Sequence, residues 1–207
     1  MEDKIKKALL ELRKEKKRKF NQTVELIINL RKIDVKKTQL NFFVSVPFKV
    51  KEKKICAFLE VKNENVDTIT PDEFKRYSNK KDIKKLSKKY DFFIAESSLM
   101  PKVAATFGKV LGPAGKMPSP QLGIISNTGK KDIEDVIKKV NSNIRIKLKE
   151  PSIKVAIGKE SNKDEEILEN IMSVYNSVIK NLPKGKENVK NILIKFSMSK
   201  PQKVNIR

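Results

Sequence analysis

Hydrophobic and polar residues follow two different periods along this chain, and each period indicates a type of secondary structure. Apolar residues recur every three or four positions in 2–18, 132–140 and 165–180, which predicts three amphipathic helices. Elsewhere they alternate with polar residues or form short apolar runs, as the residues of β-strands do. The strands predicted in this way span 23–30, 42–50, 55–61, 91–96, 144–148, 153–157 and 192–198.

Local signals predict two further helices. The segment 70–73 reads Thr-Pro-Asp-Glu, which is a capping box with proline at the first helical position. The helix that it predicts continues to Tyr90 and breaks near Ser78 and Asn79. Residues 101–107 are compatible with another short helix. Because helices and strands alternate from 64 to 153, we interpret this segment as a second domain, and the whole chain as a mixed α+β and α/β protein.

The first predicted strand has two chemically different faces. Its apolar face comprises Val24, Leu26, Ile28 and Leu30. Its partly polar face comprises Thr23, Glu25, Ile27 and Asn29. Such a strand is typical of a sheet with one face in solvent. The last predicted strand places Met198 on the apolar side, so Met198 would be a core residue unless the strand ends or bulges before it.

The charge of the chain indicates an anionic partner. Its 207 residues include 47 lysines and arginines against 25 aspartates and glutamates, a formal net charge of +22 at pH 7. Self-repulsion of this size only costs stability unless a polyanion binds, and nucleic acid is the first candidate. The basic run 13–19 suits a phosphate backbone and equally the negative end of the first helix. No apolar stretch indicates a membrane span or a signal peptide, so we expect a cytoplasmic protein without a membrane partner.

Histidine and cysteine are nearly absent from the chain. The chain has no histidine, and Cys56 is its only cysteine. Intrachain disulfides, zinc sites of the Cys/His type and His-based catalytic triads are therefore excluded. We expect Cys56 to be a small buried hydrophobe and the protein to need neither a metal nor another cofactor.

The segment 111–120 reads LGPAGKMPSP and has the most unusual composition in the chain. Its three prolines and two glycines predict a rigid, shaped loop that holds Lys116. A Walker A phosphate loop would need glycine at Val110 and a hydroxyl residue at Met117, so nucleoside triphosphate hydrolysis is disfavoured. A rigid linker between two elements is the plain alternative.

With its flanks, 108–123, this segment resembles the signature of the ribosomal protein L-one family, in its archaeal and eukaryotic-like branch. The family signature has the form G-x-x-L-G-P-x-G-x-M-P-x-P-x-x-G, which fixes far more positions than a lone glycine motif does. The signature loop in this chain comprises Leu111, Gly112, Pro113, Gly115, Lys116, Met117, Pro118, Pro120 and Gly123.

The resemblance extends to both ends of the chain. The family builds its RNA-binding surface from a basic-Phe-x-x-Thr-x-Glu segment near the N-terminus and a Thr-Met-Gly segment near the C-terminus. The RNA-binding residues that it implies here are Lys19, Phe20, Thr23, Glu25, Gly158, Lys159, Ser197, Met198 and Ser199. Ser199 stands where the family usually has glycine, so its hydroxyl would either weaken the contact with RNA or replace it by a hydrogen bond.

The resemblance also implies an architecture and a function. The architecture is a discontinuous two-layer α+β domain, 1–63 plus 154–207, with an inserted three-layer β/α domain at 64–153. The function is that of a structural constituent of the large ribosomal subunit, which binds large-subunit ribosomal RNA at the mobile stalk. It would also assist the release of tRNA from the exit site and repress translation by binding its own messenger RNA. Its expected location is the ribosome in the cytoplasm.

An enzyme that acts on RNA or on a nucleotide is the second function class. It would use the glycine-proline loop, with Lys116 and carboxylates such as Asp132 and Glu134. Catalysis needs convergent acid, base or metal groups, and the sequence has no paired motif that would supply them. We therefore expect a binding protein and not an enzyme. The role of the loop stays open between a domain interface, tRNA binding and structure.

Overall fold

The computed structural model describes residues 2–15, 18–35, 37–38, 40–77, 79–126 and 130–204. Two lysines of the basic run (16–17) and Ser78 at the predicted helix break lie outside these ranges. Within the described chain, backbone contacts define two compact units. We call 1–51 with 142–207 unit 1, and 52–141 unit 2.

Helices and strands both contribute to the structure, which confirms the predicted mixed class. The helices are α1 (Glu2–Lys14), α2 (Lys80–Lys89), α3 (Met100–Ala114), α4 (Lys130–Ser142) and α5 (Asp164–Asn181). The strands are β1 (Thr23–Leu30), β2 (Asn41–Ser45), β3 (Ile55–Phe58), β4 (Asp67–Ile69), β5 (Phe92–Glu96), β6 (Ile124–Ile125), β7 (Asn143–Lys147), β8 (Ser152–Lys159), β9 (Val189–Phe196) and β10 (Gln202–Val204). Short 3-10 helices span Pro71–Tyr77, Ser97–Leu99 and Gly185–Asn188.

Unit 1 contains a four-stranded antiparallel sheet in the order β10-β9-β1-β8 and a separate antiparallel pair of β2 with β7. Alternate residues of β1 are buried, as its pattern predicts. They pack with apolar residues of α1 and α5 in one core, which includes Leu9, Leu12, Ile171 and Val174. The helices therefore cover one face of the sheet and leave the other face of β1 partly exposed.

Unit 2 contains a parallel sheet in the order β4-β3-β5-β6 with apolar clusters on both faces. On one face Phe58 stacks on Phe93 with ring centroids 5.7 Å apart, and α2 and α3 cover this cluster. On the other face Ile94 packs with Ile133 of α4. Cys56 is fully buried, as expected, and burial raises the pKa of its thiol to about 12.

The borders between the units differ from the predicted domain borders, 63/64 and 153/154. The unit borders lie at 51/52 and 141/142. Strand pairing accounts for the difference, because β3 lies beside β5 in unit 2 and β7 pairs with β2 in unit 1. The period of a strand does not reveal which strand it pairs with. The predicted borders therefore assign β3 to the discontinuous domain and β7 to the inserted domain.

The predicted loop at 111–120 is a loop in its second half only. Helix α3 extends through Pro113 to Ala114, well beyond the predicted end at Phe107. Its end is a Schellman motif: Gly115 has a φ of 69°, its N–H donates to Gly112 O (2.9 Å), and the next N–H donates to Leu111 O (2.9 Å). Proline has no N–H to donate to the preceding turn of the helix. Pro113 is tolerated because it lies in the last turn of α3, where the loss of one hydrogen bond does not interrupt the helix.

Two lysines of unit 2 bind the carboxyl ends of helices. Lys116 Nζ donates to the carbonyls of Ser87 (2.7 Å) and Tyr90 (2.8 Å) at the end of α2. Lys53 Nζ donates to Val140 O (2.6 Å) near the end of α4, and burial lowers the pKa of Lys53. Both ammonium groups satisfy helix carbonyls that have no partner within the helix and complement the helix dipole.

Gly123 accounts for the other end of the signature loop. A Cβ there would lie 3.1 Å from Phe93 O and 3.2 Å from Pro118 Cα. These distances are shorter than ordinary contacts and involve backbone atoms that have little freedom to move. Glycine therefore allows the loop to pass close to β5.

Other elements also end or begin differently from the prediction: β2 and β3 end at Ser45 and Phe58, earlier than predicted, and β8 continues to Lys159. Helix α1 ends at Lys14, so the basic run continues beyond it. The segment Pro71–Tyr77 is a 3-10 helix, and the α-helix begins only at Lys80. Phe74 and Tyr77 both contact the same apolar cluster, and their three-residue spacing fits the turn of a 3-10 helix better than that of an α-helix. Strand β9 ends at Phe196, two residues before Met198.

Replacing Lys116 by methionine should lower the free energy of unfolding by about 1–3 kcal/mol, because two carbonyls at the end of α2 lose their charged donor. Methionine keeps most of the apolar stem, so the change isolates the ammonium group. Lys109→Met on the exposed side of α3 is the matched control and should have little effect. Urea unfolding measures both, and equal midpoints for all three proteins would contradict the structural role of Lys116.

Candidate nucleic-acid interface

The two terminal segments come together because β1 lies between β8 and β9 in unit 1. In this register Thr23 is opposite Lys159 on β8, and Val24 is opposite Phe196 on β9. Ser197, directly after β9, therefore lies beside Thr23. Three segments that are far apart in sequence thus meet at the beginning of β1.

Thr23 makes hydrogen bonds with both neighbouring segments. The backbone N–H of Ser197 donates to Thr23 O (3.1 Å), and the N–H of Thr23 donates to Ser197 Oγ (3.2 Å). Lys159 Nζ donates to Thr23 Oγ1 (3.0 Å). These bonds fix two hydroxyl groups and one ammonium group in a small, partly exposed area.

A β-bulge beside Thr23 determines which way Lys159 points. The pairing of β1 with β8 shifts between Val24 and Glu25, opposite Gly158 and Ala156. Gly158 is buried, and a Cβ added to it would lie 3.4 Å from Ile167 Cγ1 of α5. Of the two predicted RNA-binding residues on β8, only Lys159 therefore carries a side chain that lies beside Thr23.

Phe20, three residues before Thr23, and Met198, directly after Ser197, have exposed apolar side chains. They are 54% and 61% exposed, respectively, although both are large hydrophobic residues. The N–H of Met198 donates to Gln22 Oε1 (3.1 Å), which holds the turn after β9. Because β9 ends before it, Met198 is not a core residue.

The hydroxyl of Ser199 serves the backbone of its own turn. The N–H of Phe196 donates to Ser199 Oγ (2.8 Å), and the N–H of Ser199 donates to Phe196 O (3.1 Å). Serine thus closes a turn that glycine could not close in this way. We define the terminal patch as the predicted side chains that lie here together with the two that shortly precede β1 in the sequence: Lys19, Phe20, Thr23, Glu25, Lys159, Ser197, Met198 and Ser199.

The structure adds Lys195 to this area, a residue that belongs to neither of the two terminal motifs. Lys195 lies opposite Glu25 across the β1–β9 ladder, and its Nζ is 3.7 Å from Glu25 Oε2. Both side chains are partly exposed, so the pair is solvated and contributes little to stability. The alternation of β9 contains the signal, since Lys195 and Ser197 fall on the same side of the strand.

Arg13 has a different role from the one that its place in the basic run suggests. Its guanidinium donates to Asp164 Oδ1 (2.7 Å), Glu160 O (3.1 Å) and Asn162 O (2.9 Å). These bonds connect α1 to the segment between β8 and α5 and to the first residue of α5. Arg13 therefore stabilises the packing of the elements that carry the terminal patch. Lys19, which lies beyond the helix, is exposed.

The residues proposed for an enzyme do not converge. Lys116 binds the end of α2, on the sheet face that α2 and α3 cover. Asp132 and Glu134 belong to α4, which packs on the opposite face. In the described part of the chain, no group of three or more cysteine, aspartate or glutamate side chains could hold a metal ion.

None of the described helices is both long and apolar enough to span a membrane.

Comparison with known proteins gives a consistent result. The model of the ribosomal protein L1p/L10e family matches residues 12–200. Similar proteins include those of Pyrobaculum neutrophilum (37% identical over 203 residues, 93% of this chain and 88% of that protein) and Pyrobaculum calidifontis (38% over 211 residues, 97% and 92%). The protein of Nanoarchaeum equitans is 34% identical over 206 residues, 95% of each chain.

All three relatives are named large ribosomal subunit protein uL1. The family model includes both terminal segments as well as the signature loop, and the three alignments cover 93% to 97% of the chain. They confirm the resemblance seen in the sequence: the chain belongs to the ribosomal protein L1p/L10e family.

Proposed function

We propose that the protein is a structural constituent of the large ribosomal subunit and binds large-subunit ribosomal RNA through the terminal patch. The observation that carries this proposal is the hydrogen-bonded group of Thr23, Lys159 and Ser197, which brings three distant segments to one surface. Two exposed apolar side chains, Phe20 and Met198, lie close to members of this group in the sequence. The names of the relatives and the net charge of +22 support the same function.

The chemistry of the terminal patch suits structured RNA. RNA displays 2′-hydroxyls and base edges in a wide, shallow groove, and hydroxyl and carboxylate groups on a rigid sheet can bond to them. Thr23, Ser197 and Glu25 supply such groups. Phe20 and Met198 supply apolar contact for an exposed base or sugar, and lysines neutralise phosphates. None of these roles requires bond-breaking chemistry, so we infer a binding protein.

Two finer aspects of this function belong to the same proposal. On the ribosome, in the cytoplasm, the protein would assist the release of deacylated tRNA from the exit site. It would also repress its own synthesis by binding a site in its messenger RNA that imitates the ribosomal site. Membership of the family and the basic surface support these aspects, and protection of tRNA or messenger RNA from nuclease tests each of them.

We further propose that the two units are domains that fold independently. A chain that joins 1–51 to 142–207 through a short glycine-serine linker should unfold cooperatively and keep most of the specific RNA affinity, because it contains the whole terminal patch. Isolated 52–141 is the control, and its affinity for the same RNA should be far lower. Equal affinity of 52–141 and the intact protein would contradict the assignment.

Affinity for large-subunit RNA should fall steeply with salt. For about six phosphate contacts, we expect a loss on the order of a thousandfold between 50 and 200 mM salt, because binding releases counterions from the RNA. Filter binding over this range measures the slope. An RNA affinity that does not change with salt concentration would show that the basic residues do not contact RNA phosphates.

Met198→Ala should lower RNA affinity by about tenfold while leaving the unfolding midpoint unchanged, because Met198 is exposed and borders the proposed contact. Val61→Ala is the matched control, since Val61 is 77% exposed and belongs to unit 2. A lower melting temperature with unchanged affinity per folded molecule would instead show that Met198 acts only in folding.

A further inference from the structure

The four-stranded sheet of unit 1 has an open face that extends beyond the terminal patch. Its buried face, which includes Leu26, Ile28 and Ile194, packs against the core with α1 and α5. The residues between these positions lie on the other side of the sheet and are partly or fully exposed. The pairing register determines which of them stand side by side.

One transverse row of the open face has a lysine at each end and two apolar residues in the middle. Ile27 on β1 is opposite Lys154 on β8 and Leu193 on β9, and Leu193 is opposite Lys203 on β10. Lys154 and Lys203 are exposed, whereas Ile27 and Leu193 are partly exposed. The two lysines are about 14 Å apart at the backbone, which is three interstrand spacings.

This row is continuous with the terminal patch. The neighbouring row contains Ala156, Glu25 and Lys195, and the row after it contains Lys159, Thr23 and Ser197. Successive rows on one face are about 6.7 Å apart. The lysine-flanked row therefore begins within about 14 Å of Thr23, well inside the length of a short RNA segment.

The other side of the row is bounded by uncharged polar groups. Ser152 Oγ donates to Asn29 Oδ1 (2.9 Å), and Asn29 Nδ2 donates to Asn191 Oδ1 (2.7 Å). This chain of bonds crosses β8, β1 and β9. Lys154 and Lys203 thus lie between these amides and the terminal patch, and Lys154 also forms a solvent-exposed ion pair with Glu150 (3.1 Å), which a phosphate would have to compete with.

The composition of the row favours RNA over a protein partner. The central part of a protein–protein interface is depleted in charged residues and rich in aromatic ones, whereas this row has two apolar side chains between lysines. A ribose or an unpaired base offers an apolar face of about this size, with phosphates on both sides of it. The lysines are complementary in charge to those phosphates.

We propose that RNA bound at the terminal patch continues across this row, with a sugar or base on Ile27 and Leu193 and phosphates at Lys154 and Lys203. This inference rests on the proposed function and extends it from the edge of the sheet to its centre. Ile27 and Leu193 then determine which nucleotides fit, because they accept a flat or apolar group and offer no hydrogen bond.

Two variants of the intact protein test the row with a large-subunit RNA fragment. The double variant Lys154→Ala with Lys203→Ala should reduce the slope of log affinity against log salt by about two. Ile27→Thr should lower affinity about tenfold, and its β-branched side chain keeps the strand propensity. The control for charge is Lys180→Ala with Lys184→Ala, two exposed lysines at the end of α5 and after it.

The results distinguish this inference from the proposed function. Affinities are measured per folded molecule, with Met198→Ala as the variant that reports on the terminal patch. If Met198→Ala weakens binding but the row variants match the control, RNA does not cross the row and only this inference is overturned. If the row variants bind RNA normally but fail to join large subunits, the face contacts a protein, which also overturns it. If the unaltered protein does not bind the RNA, both proposals fail.

Discussion

Unit 1 depends on one constraint: strand β1 must pair with β8 on one side and β9 on the other. These partners are separated from β1 by more than a hundred residues. The chain must therefore lose the entropy of closing a long loop before any hydrogen bond between these strands can form. The core, the hydrogen bonds at Thr23 and the order of the rows on the open face all follow from that register. A shift by one residue would exchange the buried and exposed faces of β1.

The sequence predicts the elements of this arrangement better than their partners. The periodicity of 165–180 and 23–30 is strong because each segment buries one whole face, and the observed helix and strand agree closely with it. The period of β3 says nothing about whether it joins unit 1 or unit 2. Similarly, Pro113 is a usual sign of a loop, but the preceding helix is fixed by tertiary packing of Val103, Phe107 and Leu111.

The same distinction applies to the candidate site: the sequence identifies its residues but not their long-range contacts. The family signature and the terminal motifs identify the side chains, and the alternation of β1 identifies their face. Long-range contacts are not visible in this way: Arg13 looks like part of a basic surface, yet it binds the segment between β8 and α5. The row that contains Ile27 and Leu193 requires the registers of three strand pairs, which no local pattern contains.

The pairing of residues near both ends also has a consequence for synthesis. All strand pairs of the described unit 2 lie within one continuous segment, so this unit can fold while the ribosome is still adding β8 and β9. During that interval β1 has neither of its partners, and its edges are open to other nascent chains. The lysines near β1 in the sequence are charged residues of the kind that oppose aggregation of such an unpaired strand.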